Sequence, residues 1–252
     1  MSAMPLELQE IEYPTSDGQP MAETPEHQQA MIDLIQGLRR RYAEVPDVWV
    51  AGNFFLCYQE GNPRAHVSPD VMLVKGVPKK KKRPNYLLWR EKPPTLVVEV
   101  TSKSTHQEDE GDKKDLYERI GTAELVLFDV FGEYLHPRLQ GFSLEGGHYR
   151  PLPLEKDGSL LSRTTGLLFK PEGERLRLVD AVTGEPILWE EELEAARAQA
   201  EKRAAKEAAT RRAEQAARRA AEAKAVEEVA ARRAAEERIR ALEEELNRLR
   251  KG

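Results

Sequence analysis

The chain has 252 residues, of which 33% are charged, and its formal net charge is −5 with one cysteine. A single cysteine excludes a disulfide within one chain, and no run of about 18 apolar residues is present, so we expect a cytoplasmic protein without a membrane span. A protein that coats nucleic acid is usually basic, so any contact with nucleic acid is expected to be local.

The composition changes sharply near residue 188. Beyond Pro186 neither proline nor glycine occurs before Gly252, and 19 of the 41 residues from 195 to 235 are alanine. This composition is typical of a long exposed helix. We therefore predict a flexible segment over 1–23, a folded domain over 24–188 and a helical tail over 189–252.

The folded domain begins with a predicted helix. The stretch "TPEHQQAMIDLIQGLRRRY" has Thr24 as a plausible N-cap and Pro25 at the first helical position. Predicted strands follow over "DVWVAGNFFLCYQEG", "HVSPDVMLVKG", "PTLVVEVTS" and "AELVLFDVFG". A helix over "KSTHQEDEGDKKDLYERIG" separates the last two, and glycine-punctuated hairpins come after them. This order predicts an α/β fold in which helices flank a mixed sheet.

Two of the predicted strands carry a carboxylate among apolar residues, Asp70 and Glu99. Burying an unpaired carboxylate costs several kcal/mol, and two acids that meet also repel each other. A hard divalent cation with oxygen ligands relieves both problems. We therefore predict that Asp70 and Glu99 converge and bind Mg²⁺ or Mn²⁺. A solvated strand end for Asp70 and an edge strand for Glu99 are the alternatives.

The helix that follows Glu99 presents a lysine that can reach the end of that strand. Lys113 has Asp109 one turn before it and Tyr117 one turn after it on the same face. A metal held by two acids beside an ammonium group suits hydrolysis of a phosphodiester bond. The alternative is an ordinary Asp109–Lys113 surface ion pair, worth about 0.3–0.5 kcal/mol.

These residues resemble a known family. Pro69-Asp70, "VVEVTSKST", "DEGDKKDLYERIG" and "ELVLFDV" are similar to the Uma-type endonuclease family of the PD-(D/E)xK nuclease superfamily, over roughly residues 24–186. The resemblance implies a restriction endonuclease-like fold in which Asp70 and Glu99 bind a divalent metal. In the wider superfamily the lysine stands two residues after the second acid, where this chain has Thr101. The resemblance implies that Lys113 replaces it, and Lys103 is the rival.

Several further residues complete the hypothesis. The backbone carbonyl of Val100 is expected to bind the metal, and Glu26 and Asp109 are possible accessory residues. A dense basic run lies in the loop between the two acid-bearing strands, where we expect it to contact a phosphate backbone beside the site. It consists of Lys79, Lys80, Lys81, Lys82 and Arg83.

The tail has an apolar seam only near its end. Ile239, Leu242, Leu246 and Leu249 are spaced by 3, 4 and 3 residues, the rhythm of a coiled coil, so residues 239–249 are expected to join copies of the chain, most simply as a dimer. The alternative is a single helix held by Glu–Arg pairs. The sequence thus predicts a metal-dependent DNA endonuclease. The alternative function is a nuclease fold without catalysis that binds nucleic acid or acts as a scaffold.

Overall fold

The computed structural model describes residues 13–14 and 24–251, without the side chains of residues 245 and 249–251. The flexible segment expected over 1–23 therefore lies, apart from Tyr13 and Pro14, outside the described residues. The chain divides into two units, Met1–Glu190 and Glu191–Gly252. The first unit is a mixed α/β fold, which confirms the fold class predicted from the sequence.

The helices are α1 (Pro25–Arg41), α2 (His106–Glu110), α3 (Asp112–Arg119) and α4 (Glu190–Lys251). The strands up to the centre of the fold are β1 (Val48–Ala51), β2 (Leu56–Cys57), β3 (His66–Val67), β4 (Val71–Lys75), β5 (Tyr86–Leu87), β6 (Leu96–Thr101) and β7 (Glu124–Asp129). The later strands are β8 (Leu139–Glu145), β9 (His148–Pro151), β10 (Leu160–Ser162), β11 (Leu167–Glu172) and β12 (Arg175–Asp180).

The main sheet has six strands in the order β1-β4-β6-β7-β8-β9. Strands β6 and β7 are parallel, and the other neighbouring pairs are antiparallel. All residues of these two central strands are buried. Burial on both faces explains why their sequences are nearly continuous runs of Val, Leu and Phe, since each face must be apolar.

Helices cover both faces of this sheet near β6. Leu34 and Leu38 of α1 pack in one apolar cluster with Val98 and Val100. Tyr117 of α3 packs in a second cluster with Val97 and other residues of the central strands. Because side chains alternate along a strand, Glu99 shares the face of Val97 and therefore points toward α3.

Two of the predicted strands are each divided in the structure. The first separates into β1 and β2 at Asn53, which adopts a left-handed φ of 47° and donates its N–H to the Pro69 carbonyl. The second separates into β3 and β4 around Pro69, so Asp70 immediately precedes β4 rather than lying within a strand. The displaced halves β2 and β3 join β5 in a separate three-stranded sheet.

The helix predicted after Glu99 is also interrupted. Gly111, with φ −109° and ψ −105°, separates α2 from α3. The end of α3 agrees with the sequence prediction, because Gly121 follows the C-cap Ile120 with a positive φ of 83°. The break leaves Asp109 and Lys113 adjacent across the junction, with their side chains in contact.

The second unit consists of α4, a helix of 62 residues. At about 1.5 Å per residue it extends over roughly 90 Å. Its large apolar side chains are exposed, namely Val226, Val229, Ile239, Leu242 and Leu246. Among the residues that the structure describes, no helix has both the length and the apolar character of a transmembrane segment.

Candidate active site

Hydrogen bonds between side chains and backbone link Asp70 to the Glu99 segment at one end of the main sheet. Asp70 Oδ2 accepts a hydrogen bond of 2.8 Å from the N–H of Val100, the residue after Glu99. In return, the Asp70 N–H lies 3.4 Å from Glu99 Oε2. The Asp70 side chain is 13% exposed and the Glu99 side chain is fully buried. The two acids expected to converge therefore lie together, and Asp70 keeps some access to solvent.

This proximity makes both carboxylates hard to ionise. Burial raises the pKa of Asp70 well above its usual range, and the negative charge of Glu99 raises it further. Burial also raises the pKa of Glu99, although the Lys113 ammonium acts in the opposite direction. The negative charge at this point is thus only partly compensated by the neighbouring protein groups.

Lys113 supplies the nearest positive charge. Its ammonium lies 2.9 Å from Asp109 Oδ1 and 3.4 Å from Glu99 Oε2. Burial alone would lower the pKa of Lys113, but the charges of Glu99 and Asp109 outweigh it and raise the pKa above the usual lysine value. Lys113 is therefore a permanent cation at neutral pH. The ion pair is not the exposed one considered above, because Asp109 is 1% exposed.

Tyr117 binds the other oxygen of Glu99. Its hydroxyl donates a hydrogen bond of 2.5 Å to Glu99 Oε1, and the tyrosine is fully buried. Burial and the adjacent Glu99 charge raise its pKa, so the phenol remains a donor. The sequence placed Tyr117 one turn from Lys113 but gave it no role, although that spacing is sufficient to direct both side chains at the same acid.

His27 reaches the site from α1, and the sequence analysis missed it. Its Nε2 donates to the Val100 carbonyl and lies 3.8 Å from Asp70 Oδ2. The sequence did contain one sign of its importance, because His27 lies four residues before Met31 and therefore on the buried face of α1. The Val100 carbonyl, predicted as a metal ligand, therefore has one lone pair engaged and one remaining.

The accessory candidates occupy different positions. Asp109 lies in the cluster through its contact with Lys113. Glu26 makes no hydrogen bond or ion pair with a residue that the structure describes, so its neighbour His27 is the α1 side chain at the site. Lys103 lies exposed in the turn between β6 and α2, with no ion pair to any described acid. Lys113 is thus the lysine that contacts Glu99.

The expectation that the basic run lies beside the acids is wrong. Strand β4 runs away from Asp70 for five residues, so the loop after Lys75 leaves the sheet at its opposite end. At about 3.3 Å per residue, this separation is roughly 16 Å along the strand.

Several cations of the run also have structural partners. Lys79 donates to the carbonyls of Tyr42 and Ala43 at the end of α1. Arg83 is 2% exposed, pairs with Glu91 and lies over the Trp49 ring. Lys81 also pairs with Glu91, whereas the side chains of Lys80 and Lys82 are exposed and make no hydrogen bond or ion pair with a described residue. The predicted contact with nucleic acid stays a prediction.

A divalent metal is compatible with this donor set. Asp70 and Glu99 provide hard carboxylate oxygens, and Asp109 Oδ2 is buried without a hydrogen-bond partner among the described residues. Across the described residues, no group of three or more His, Cys, Asp and Glu side chains is arranged to hold a metal. Mg²⁺ commonly binds through one or two carboxylates and completes its octahedron with waters and substrate phosphates, so two acids meet its minimum requirement.

Paired acids at the end of a mixed sheet, with a helix-borne lysine beside them, define the class of the protein as nuclease-like. A match to a family model agrees with this class. A family described as "Uma2: Putative restriction endonuclease" matches residues 2–173. The match covers more than half of the chain, so the chain belongs to this family, and the resemblance inferred from its residues is confirmed.

Two further comparisons were made. A crystal structure from Anabaena variabilis, titled "a putative nuclease belonging to DUF820", aligns with 58% of this chain and 76% of its own. The sequence identity is 11% and the TM-score is 0.43. A search of curated proteins gave no match.

Proposed function

We propose that this protein is a Mg²⁺- or Mn²⁺-dependent endonuclease that hydrolyses phosphodiester bonds in DNA. The observation that carries the proposal is the direct pairing of Asp70 with the Glu99 segment beside the Lys113 ammonium. Membership of a family described as restriction endonucleases supports the reaction class. The one cysteine supports a cytoplasmic location.

Asp70, Glu99 and the free lone pair of the Val100 carbonyl would hold the metal ion. When bound, such an ion polarises a phosphate and lowers the pKa of an attacking water. Asp70 is the ligand nearest to solvent, with 13% of its side chain exposed. A substrate phosphate would therefore approach from the Asp70 side, because Glu99 is closed off by Tyr117 and Lys113.

Lys113 acts in this proposal as a cation and a hydrogen-bond donor. Its raised pKa argues against a general-base role at neutral pH, because a base must first lose its proton. The ammonium can instead orient the attacking water or offset the charge that develops on the phosphate oxygens. Asp109 holds the ammonium at 2.9 Å, which directs Lys113 toward Glu99.

Tyr117 and His27 position the metal-binding segment. Tyr117 fixes one oxygen of Glu99, which leaves Oε2 directed toward Asp70 and Lys113. His27 holds the Val100 carbonyl at the point where β6 approaches its end. Both contacts restrict the orientation of donor atoms before substrate binds, and such restriction is what a precise catalytic site requires.

Nicking of supercoiled plasmid DNA in Mn²⁺ tests the proposal. We expect the wild type to nick the plasmid, EDTA to stop the reaction, and Glu99→Gln to reduce the rate at least about 100-fold, the scale for removing a central electrostatic group. Glu108→Gln removes an exposed acid close by in α2 and should retain activity. Equal background nicking by the wild type and Glu99→Gln would contradict an enzymatic role.

A further inference from the structure

A cleft opens next to the proposed active site, beyond the ends of β6 and β7. His27 and Thr101 form its inner end, and Phe131 and Tyr134 form part of its wall. The same His27 contacts Val100 and lies 3.8 Å from Asp70. The cleft therefore shares the His27 side chain with the proposed active site. We propose that it binds an unpaired nucleotide of the DNA strand next to the bond that is cut, an inference that rests on the proposed function.

The size of the cleft favours a single strand over a duplex. Its volume is about 700 Å³. Pockets of about 300–1,000 Å³ enclose one ligand of drug size, which corresponds to roughly one or two nucleotides. A base that remains paired within a duplex cannot enter such a space, because its edge and both faces are already engaged. The base must be extruded or the strand must be single.

An exposed aromatic ring supplies a stacking surface. Phe131 is 45% exposed, although an isolated phenylalanine would be better buried. The backbone that carries this ring is held in place, because the N–H groups of Phe131 and Gly132 both donate to Asp129 Oδ1. Tyr134 stands nearby and stacks on His106 with a centroid distance of 5.0 Å. A solvent-facing ring on a held backbone is suited to stacking with a nucleobase, because every base has an aromatic face.

Another part of the lining offers groups that bind phosphate. It consists of Ser102, Lys103 and Ser104 in the turn after β6. Lys103 is exposed and has no ion pair with a described acid, and the Ser102 and Ser104 hydroxyls lie 3.0 Å apart. Glu133 is the acid among the described residues that line the cleft. A cation, hydroxyls and an aromatic ring around one cleft match a nucleotide, which presents both a phosphate and a base.

The binding experiment uses the full chain with Glu99→Gln as background and EDTA present, so that no cleavage occurs. Fluorescence anisotropy would measure binding of a labelled oligothymidylate and of a duplex of the same length. We expect the single strand to bind more tightly than the duplex, and Phe131→Ala to weaken single-strand binding about 5- to 150-fold, the range for losing one base–aromatic stack.

Two controls separate stacking from folding. Phe131→Tyr retains an aromatic ring and should keep single-strand binding close to that of the background protein. Ile32→Ala removes an apolar side chain that is 46% exposed on α1, outside the cleft, and should not affect binding. Equal affinity for the two DNA forms, no binding to either, or unchanged binding by Phe131→Ala would each overturn the inference.

The nicking assay distinguishes this inference from the proposed function. If the wild type shows no metal-dependent cleavage while single-strand binding still depends on Phe131, the nuclease proposal fails and the nucleotide site stands. If the wild type cleaves and Phe131→Ala neither weakens strand binding nor slows cleavage of single-stranded DNA, the nucleotide site fails and the nuclease proposal stands.

Discussion

The Asp70 carboxylate is held in a place that disfavours its charge. Burial and the neighbouring Glu99 raise its pKa above the ordinary value of 3.8. A carboxyl group with a raised pKa in the folded state makes folding less favourable as the pH rises from that ordinary value through the raised one. In the absence of metal, the wild type should therefore lose stability over this range because of Asp70.

Asp70→Asn removes this charge while retaining an oxygen that can accept from the Val100 N–H. We expect the variant to unfold at a higher temperature than the metal-free wild type at neutral pH. A gain of about 1 kcal/mol corresponds to roughly 2–4 °C for a protein of this size. The difference should shrink below pH about 4, where both proteins are uncharged at this position. A lower Tm for Asp70→Asn at neutral pH would contradict the prediction that the charge of Asp70 destabilises the metal-free fold.

The pKa of Asp129 is shifted in the opposite direction to that of Asp70. Burial raises its pKa, but N–H groups from Phe131, Gly132, Tyr134 and Leu135 donate to the carboxylate and together lower the pKa below its ordinary value. The stability that it contributes is present above pH about 3.8 and is lost as the pH falls through the lower folded-state value. Asp129 therefore has a structural role, because its carboxylate holds the turn that follows β7.

Asp129→Asn should destabilise the fold by about 1–3 kcal/mol at neutral pH, because an amide offers fewer acceptor sites and places an N–H group against donors. Urea unfolding at a series of pH values would measure the loss, which should decrease as the pH falls below about 3.8. Asp112→Asn, an exposed acid on α3, serves as the control and should change little. Equal free energies of unfolding for the wild type and Asp129→Asn at neutral pH would refute this role.

At the scale of elements, the main question is which lysine the fold places beside Glu99. Lys113 on α3 contacts Glu99, and Lys103 in the turn after β6 does not. Lys113→Met should reduce nicking at saturating DNA about 100-fold or more, because it removes a cation that acts on the reacting phosphate. Lys103→Met should mainly raise the DNA concentration required. If Lys103→Met abolished turnover and Lys113→Met did not, the assignment would be reversed.

The elements that could be predicted are those specified by residues close together in the sequence. The α1 helix begins at Pro25, after the N-cap Thr24, whose side chain accepts from the His27 N–H. The valine-rich β6 is buried, as its sequence indicates. The breaks at Asn53, between β1 and β2, and at Gly111, between α2 and α3, were not predicted. They depend on tertiary contacts and on backbone angles that many sequences can adopt.

The candidate site was predictable to a similar extent. A carboxylate among apolar residues stands out in a sequence, and Lys113 follows Glu99 by only 14 residues, so these residues could be found from the sequence. His27 comes from a helix 73 residues away from Val100, and no local pattern connects the two. The basic run of residues 79–83 was misplaced because it lies between two acids in the sequence but follows β4 at the end opposite to Asp70.

At the scale of the whole molecule, the exposed seam of α4 requires an explanation. Ile239, Leu242 and Leu246 are 51–58% exposed and follow the spacing of a coiled coil. We propose that this seam joins two copies of the chain, which would supply two active sites for the two strands of DNA. Such an arrangement would allow double-strand cleavage by one assembly.

Replacing Leu242 and Leu246 with glutamate should convert the proposed dimer into a monomer, because it places like charges at the seam. Light scattering coupled to size-exclusion chromatography would measure the molar mass. Val182→Glu is a matched control, since Val182 is 93% exposed on the first unit, and should leave the mass unchanged. A monomeric wild type, or a dimer that survives both substitutions, would rule out this seam as the contact.

The central claim is that the carboxylates of Asp70 and Glu99 share one divalent ion. Calorimetric titration of EDTA-treated protein with Mn²⁺ tests it most directly. We expect one Mn²⁺ to bind each wild-type chain, and Asp70→Asn and Glu99→Gln each to remove most of the heat of binding while the protein remains folded. Mn²⁺ binding of equal strength and stoichiometry in the wild type and both variants, or no binding in the wild type, would contradict the account.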